Sequence, residues 1–285
     1  MNQQILPSEL ILNQDGSIYH LNLFPDEIAD LVILVGDPER VAMVSTHFDR
    51  IEFTRQKREF ITHTGWIGST RLSVISTGIG TDNIDIVLNE LDVLVNVDLS
   101  TRQIKSHNRD LKLVRIGTSG ALQPDIEVDS MLVSTHGLGL DNLLWYYLLE
   151  HDADVKYLSK ELGLDFVKPY LFNCSPELLA KFDHQSLKGI TATCSGFYGP
   201  QGRQLRKAIF EPNLVSKLAK IDIFGNRVTN FEMETAAILG LCKLFGFKGI
   251  AVNAIVANRS NHTFSKDAHK AIEKTIQYTL SSLMS

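Results

Sequence analysis

Apolar residues along the chain fall into short runs broken by glycines and polar turns. The runs LVILVG (31–36), EFITHTG (59–65), RLSVISTG (71–78), LKLVRIGTSG (111–120), SMLVSTHG (130–137), KGITATCSG (188–196) and KGIAVNAIVAN (248–258) are rich in Val, Ile and Thr and have strand length. Between them, NIDIVLNELDVLV (83–95), SPELLAKFD (175–183), NLVSKLAKI (213–221), the segment after Met233 and KDAHKAIEKTIQYTLSSLM (266–284) carry helical spacing. The alternation predicts an α/β fold, a central mixed, largely parallel sheet flanked by helices on both faces, built as one domain over residues 1–285. The polar stretch DLSTRQIKSHNRD (98–110) reads as an inserted exposed loop.

In sheets of this kind ligands bind beyond the carboxyl ends of the strands, where Gly36, Gly78, Gly80, Gly117, Gly120 and Gly196 fall. A second pattern stands out in NFEMETAAILGLCKLFG (230–246), where two glutamates precede a run whose one charge is Lys243. The run predicts a buried helix closed by Gly246. Carboxylates are ordinary at a helix entrance, where they complement the positive end of the dipole, so a chemical role needs convergent residues elsewhere. If both glutamates lie on the helix they point about 200° apart, and their roles differ.

Composition narrows the classes. With 44% hydrophobic and 21% charged residues, the 285 residues suffice for a large core. A net charge of -5 argues against a broad nucleic-acid or anionic-membrane surface, so basic residues that matter act locally. Cys174, Cys194 and Cys242 are odd in number and widely spaced, which argues against a disulfide frame or a zinc site. There is no HExxH spacing, no apolar run of membrane length and no signal-peptide pattern, so the expectation is a cytoplasmic, metal-free protein without a cofactor.

Local arginines then carry the information. In VGDPERV (35–41), Gly36 ends a strand and Arg40 follows four residues later, where amide N–H groups and a guanidinium can face one anion; an ordinary Gly-Asp-Pro turn is the plain alternative. In RIGTSGALQ (115–123), Arg115 lies on a buried strand with Thr118, Ser119 and Gly120 at its end; a core ion pair is the plain alternative. Together they suit a phosphate cradle, although neither GxxxxGK[ST] nor GxGxxG is present. SGFYGPQGRQ (195–204) offers Phe197, Gln201 and Arg203, a ring with a carboxamide and a guanidinium that can grip a nucleobase edge; a surface turn is its plain alternative.

In order, IYHLNL (18–23), VILVGDPERV (32–41), REF (58–60), STGIG (76–80), RIGTSGALQP (115–124), FYGPQGR (197–203), NFEMET (230–235) and NR (258–259) resemble the nucleoside phosphorylase-I family, and within it the uridine phosphorylases. The resemblance implies phosphate binding by Gly36, Arg40, Arg115 and Thr118, with Arg58 from a neighbouring subunit. It implies ribose binding by His20 of the neighbour, Glu232, Met233 and Glu234, and base binding by Ser119, Gly120, Phe197, Gln201 and Arg203. Arg203, Gln201, Glu234 and Arg115 would be the catalytic set, with nucleoside and inorganic phosphate as substrates. A homo-oligomer is implied, with a dimer as the smallest active unit and a hexamer open.

Departures are visible as well. Gly196 stands where bacterial uridine enzymes usually carry aspartate, and the 98–110 segment is longer than expected. Glu59 and Ile79 match two ligands of a monovalent cation, but Asn83 replaces the usual serine, which leaves that ion open. The purine branch uses an aspartate after a late strand; VANRSNH (256–262) has none there. A hydrolytic nucleosidase and a non-catalytic nucleoside-binding relative are the remaining alternatives.

Overall fold

The computed structural model describes residues 4–183 and 186–285 and divides the chain into two compact units. The first comprises residues up to Val114 with Phe245–Phe247, and the second Arg115–Leu244 with Lys248–Ser285.

In the first unit, β1 (Leu31–Val35) is a continuous apolar run, buried from Val32 to Val35. Helix α1 (Pro38–Ser45) starts directly after it: Asp37 caps the helix by accepting from the Glu39 N–H at 2.9 Å, and Pro38 occupies the first turn, where a missing N–H is harmless. The Gly-Asp-Pro turn is thus a helix start that carries Arg40. The hairpin of β2 (Arg50–Lys57) and β3 (Phe60–Ile67) continues into β4 (Thr70–Ser76), which pairs parallel with β1 and antiparallel with β3. Helix α2 (Thr81–Asn96) buries Ile84, Val87, Leu88, Leu91 and Leu94 at helical spacing. The 98–110 stretch is exposed over most of its length but not structureless: β5 (Val97–Asp98) pairs with β6 (Gln103–Ile104).

Strand β7 (Lys112–Ala121) begins in the first unit and continues into the second, which adds β8 (Met131–Leu140), helix α3 (Leu158–Leu162), β9 (Tyr170–Asn173), α4 (Pro176–Leu179) and β10 (Leu187–Cys194). Then follow α5 (Leu214–Leu218), β11 (Asp222–Ile223), β12 (Asn226–Glu232), α6 (Thr235–Phe245), β13 (Lys248–Asn258), β14 (Thr263–Phe264) and α7 (Ala268–Met284). Strand β10 runs parallel to both β8 and β12, while β13 lies antiparallel to β8 and neighbours β7. Asn230 and Phe231 of β12 pair back onto Ala121 and Gly120 of β7, so β7, β13, β8, β10 and β12 close into a ring. Leu138, Ile190, Val228 and Phe231 belong to the core packed on these strands. The expected α/β class and mixed sheet are found; β2, β9 and β12 are strands that periodicity alone did not reveal.

Candidate functional site

Within the second unit, Arg115 of β7 meets both glutamates that precede α6. Its side chain is 6% exposed; Nη2 donates to Glu234 Oε2 and stands 3.2 Å from Glu232 Oε2, while Nη1 donates to Asn253 Oδ1 at 3.2 Å. Burial works against the Arg115 charge, and the two carboxylates outweigh it, holding its pKa above the ordinary arginine value. The ion-pair reading of Arg115 is therefore met, with two partners.

Glu232 is the more fully engaged acid. It accepts from Thr193 Oγ1 at 2.7 Å and from the backbone N–H groups of Glu234 and Thr235 at 3.0 Å. It therefore closes the entrance of α6, where the dipole favours a carboxylate. Burial pushes its pKa up to about 7, with Arg115 pulling it down and Glu234 pushing it further up. The expected divergence of about 200° between the glutamates does not occur, because it holds only along a helix. Glu232 ends strand β12 and α6 begins at Thr235, so both carboxylates turn to one guanidinium.

Gln201 and Arg203 form a second cluster. Arg203 Nη1 donates to Gln201 Oε1 and to the Phe197 carbonyl, each at 2.6 Å, and its guanidinium carbon stands 3.8 Å from the Phe197 ring centroid. Gln201 is buried and its Nε2 donates to the Glu232 carbonyl at 3.4 Å, while Phe197 is half exposed. Burial, and next the Arg259 charge, lower the Arg203 pKa to about 10, which leaves it protonated at neutral pH. Arg259 donates to the Gln201 carbonyl at 3.1 Å and lies 5.4 Å from the Phe231 ring centroid. Arg259 has no expected role from the sequence motifs, and the one sequence signal for it is an arginine one residue past a buried strand.

Ser119 is buried and accepts from Asn230 Nδ2 at 2.9 Å. Gly120 lies beside Arg259 and Phe231, while Thr118 and Met233 are half-buried. In the first unit, Gly36 follows β1 and Arg40 is buried in α1. Arg58 is exposed in the β2–β3 turn with a φ of 54°. His20 Nδ1 stands 2.7 Å from Glu90 Oε1, and the same carboxylate accepts the His20 and Leu21 N–H groups. Asn83 Nδ2 donates to the Ile79 carbonyl at 3.3 Å, so one matched cation ligand already has a donor. Among the described residues no helix is long and apolar enough to cross a membrane, and no group of three or more His, Cys, Asp and Glu could hold a metal ion.

Comparison with known proteins gives the family context. Residues 30–283 match the model of the phosphorylase superfamily. The chain is 30% identical over 270 residues to a uridine phosphorylase of Thermococcus kodakarensis, covering 95% of this chain and 88% of that one. It is 27% identical to the uridine phosphorylase of Escherichia coli, over 86% of this chain and 87% of that one. A Trypanosoma brucei nucleoside phosphorylase whose crystal structure shows uridine phosphorylase activity matches with a TM-score of 0.86 and 31% identity, covering 96% of this chain and 99% of that one.

Proposed function

The chain belongs to the phosphorylase superfamily, and from that membership we propose that it is a pentosyltransferase that cleaves uridine with inorganic phosphate to uracil and ribose 1-phosphate, in nucleoside salvage. Similarity to uridine phosphorylases across most of the chain supports this reading. The observation that carries it is the Arg203–Gln201 pair beside Phe197: a buried carboxamide locked to a guanidinium, next to a half-exposed ring. That set offers donors, an acceptor and a stacking face, which is what a pyrimidine imide edge requires.

A phosphate oxygen forms a bond to the anomeric carbon as the glycosidic bond to N1 breaks, and the bonding pair leaves with uracil. The sugar passes through an oxocarbenium-like state, by analogy with glycoside chemistry. Arg203, charged at neutral pH, would stabilise the oxygens of the departing base, and Gln201 would hold its imide edge. Glu234 would accept the ribose hydroxyls and orient the sugar, with Met233 against it and Glu232 holding the α6 entrance. Arg115 and Thr118 keep their proposed roles as phosphate ligands. Arg58 and His20 keep theirs as groups given to a neighbouring subunit, and a homodimer is the smallest assembly that serves them. Buried free cysteines suit a cytoplasmic setting.

The purine branch is disfavoured because Asn258, which ends β13, and Arg259, Ser260, Asn261 and His262 after it include no carboxylate. The deciding experiment follows base release from uridine, deoxyuridine, thymidine, inosine and adenosine, with and without phosphate. Phosphate-dependent uracil release is expected. Release without phosphate would replace this reading with hydrolysis, and release from inosine or adenosine alone would move it to the purine branch.

A further inference from the structure

Buried polar side chains, two from β7 and one from each other strand of the closed ring, join a continuous hydrogen-bonded belt. Arg115 Nη1 on β7 donates to Asn253 Oδ1 on β13 at 3.2 Å, and Asn253 Nδ2 donates to Ser134 Oγ on β8 at 3.2 Å. Ser134 Oγ lies 2.6 Å from Thr191 Oγ1 on β10, and Thr191 Oγ1 donates to Asn230 Oδ1 on β12 at 2.9 Å. Asn230 Nδ2 donates to Ser119 Oγ, back on β7, at 2.9 Å. All six side chains are buried, in a ring where apolar residues would cost less to bury.

The direction of the bonds in this belt follows from its first member and from where an unpaired proton costs least. An arginine only donates, so Asn253 must turn its oxygen to Arg115 and its amino group to Ser134. Ser134 then accepts from Asn253, and giving its own proton to Thr191 keeps that proton paired. Thr191, having accepted, gives its proton to Asn230, which turns its amino group to Ser119. On this polarity Ser119 accepts from Asn230 and aims its own proton away from it. A hydroxyl can accept twice, so the reverse order would instead leave an unpaired proton on Ser134 or Thr191, which are fully buried, whereas this order leaves it on Ser119, which is 5% exposed.

We infer that this belt is a one-way circuit that presets Ser119 as a hydrogen-bond donor to the bound nucleoside and fixes the Arg115 guanidinium for the anion, with Asn253, Ser134, Thr191 and Asn230 as positioning residues. The role at the nucleoside rests on the functional reading above; the polarity of the belt does not. The circuit is anchored at Arg115, so a cut affects only what lies downstream of it. Thr191→Val severs Asn230 and Ser119 from the anchor and leaves Arg115, Asn253 and Ser134 in place. Asn253→Ala severs everything and also removes a guanidinium partner.

The test has two arms. Neutron diffraction from deuterated crystals should place the Ser134 deuterium toward Thr191, the Thr191 deuterium toward Asn230 and the Ser119 deuterium away from Asn230. A Ser119 deuterium pointing at Asn230 overturns the circuit, whatever the enzyme turns over. In steady-state assays Thr191→Val should raise the uridine KM about tenfold while the phosphate KM stays within about twofold, Thr191→Ser should restore the wild-type value, and Asn253→Ala should raise both constants. Equal rises in both constants for Thr191→Val, or no rise in either, overturn the positioning role. A wild-type protein without phosphate-dependent uracil release overturns the functional reading, and the neutron map still decides the polarity.

Discussion

The guanidinium of Arg115 lies over Gly117, two residues along the same strand, so closely that a Cβ on Gly117 would fall 1.3 Å from Nη1 and 2.4 Å from Cζ. The absence of a side chain at residue 117 makes room for the arginine to meet Asn253 and the two glutamates. Gly117→Ala would therefore displace a guanidinium that is pinned at both ends and leave buried carboxylates unpaired. Breaking a buried pair of this kind costs on the order of 3–5 kcal/mol. We expect Gly117→Ala to lower the denaturation midpoint in urea and to raise the phosphate KM at least tenfold. A variant equal to wild type in both measurements would refute the contact.

Arg203 donates to Gln201 and to the Phe197 carbonyl, so the protein's own groups orient its guanidinium. Preorganised charge acts on the transition state more than on the ground state. Arg203→Ala should accordingly lower kcat for uridine by roughly 100-fold with a smaller change in KM. Steady-state kinetics at saturating phosphate separate the two parameters. A KM effect without a kcat effect would reduce Arg203 to a binding residue.

Strand and helix positions were legible where periodicity is local. LVILV and KGIAVNAIVAN became β1 and β13, and the C-terminal run became α7. NFEMET was harder to read, because nothing local marks Asn230–Glu232 as a strand; pairing with Thr191–Thr193 of β10 and with Gly120–Ala121 of β7 does. The candidate groups at Arg115, Gln201, Arg203 and Glu234 could be named from residue type and order. Their partners could not, since Asn253 is 138 positions from Arg115 and Thr193 is 39 from Glu232. Asn and Thr in strands carry no sequence signal that separates a belt member from a core residue.

Thr193 illustrates what was hidden. Its hydroxyl donates to Glu232 Oε1 at 2.7 Å and accepts the Ala236 N–H at 2.8 Å, joining β10 to the glutamate and to the first turn of α6. Thr193→Val keeps the shape and removes both bonds, leaving a buried N–H without its acceptor. The expected loss is about 1–3 kcal/mol of stability, read from urea denaturation. Thr193→Ser should recover most of it, and a valine variant as stable as wild type would show that the hydroxyl contributes nothing.

Glu232 gives a prediction in pH. Its pKa is raised from 4.5 to about 7, with burial as the first cause, so between those values the folded protein holds a proton that the unfolded chain has released. Stability from this group is then fully present below about pH 4.5 and is lost as pH rises through about 7. Glu232→Gln removes the titration, at a cost that does not vary with pH because its amino group must face donors that the carboxylate accepts from. The stability difference between wild type and Glu232→Gln should thus shift in favour of the variant as pH rises from 5 to 8, by up to roughly 3 kcal/mol. Urea denaturation of both proteins at half-unit pH steps measures it. A difference that stays flat, or one that shifts in favour of wild type, would mean that Arg115, Thr193 and the α6 amides keep the carboxylate ionised throughout.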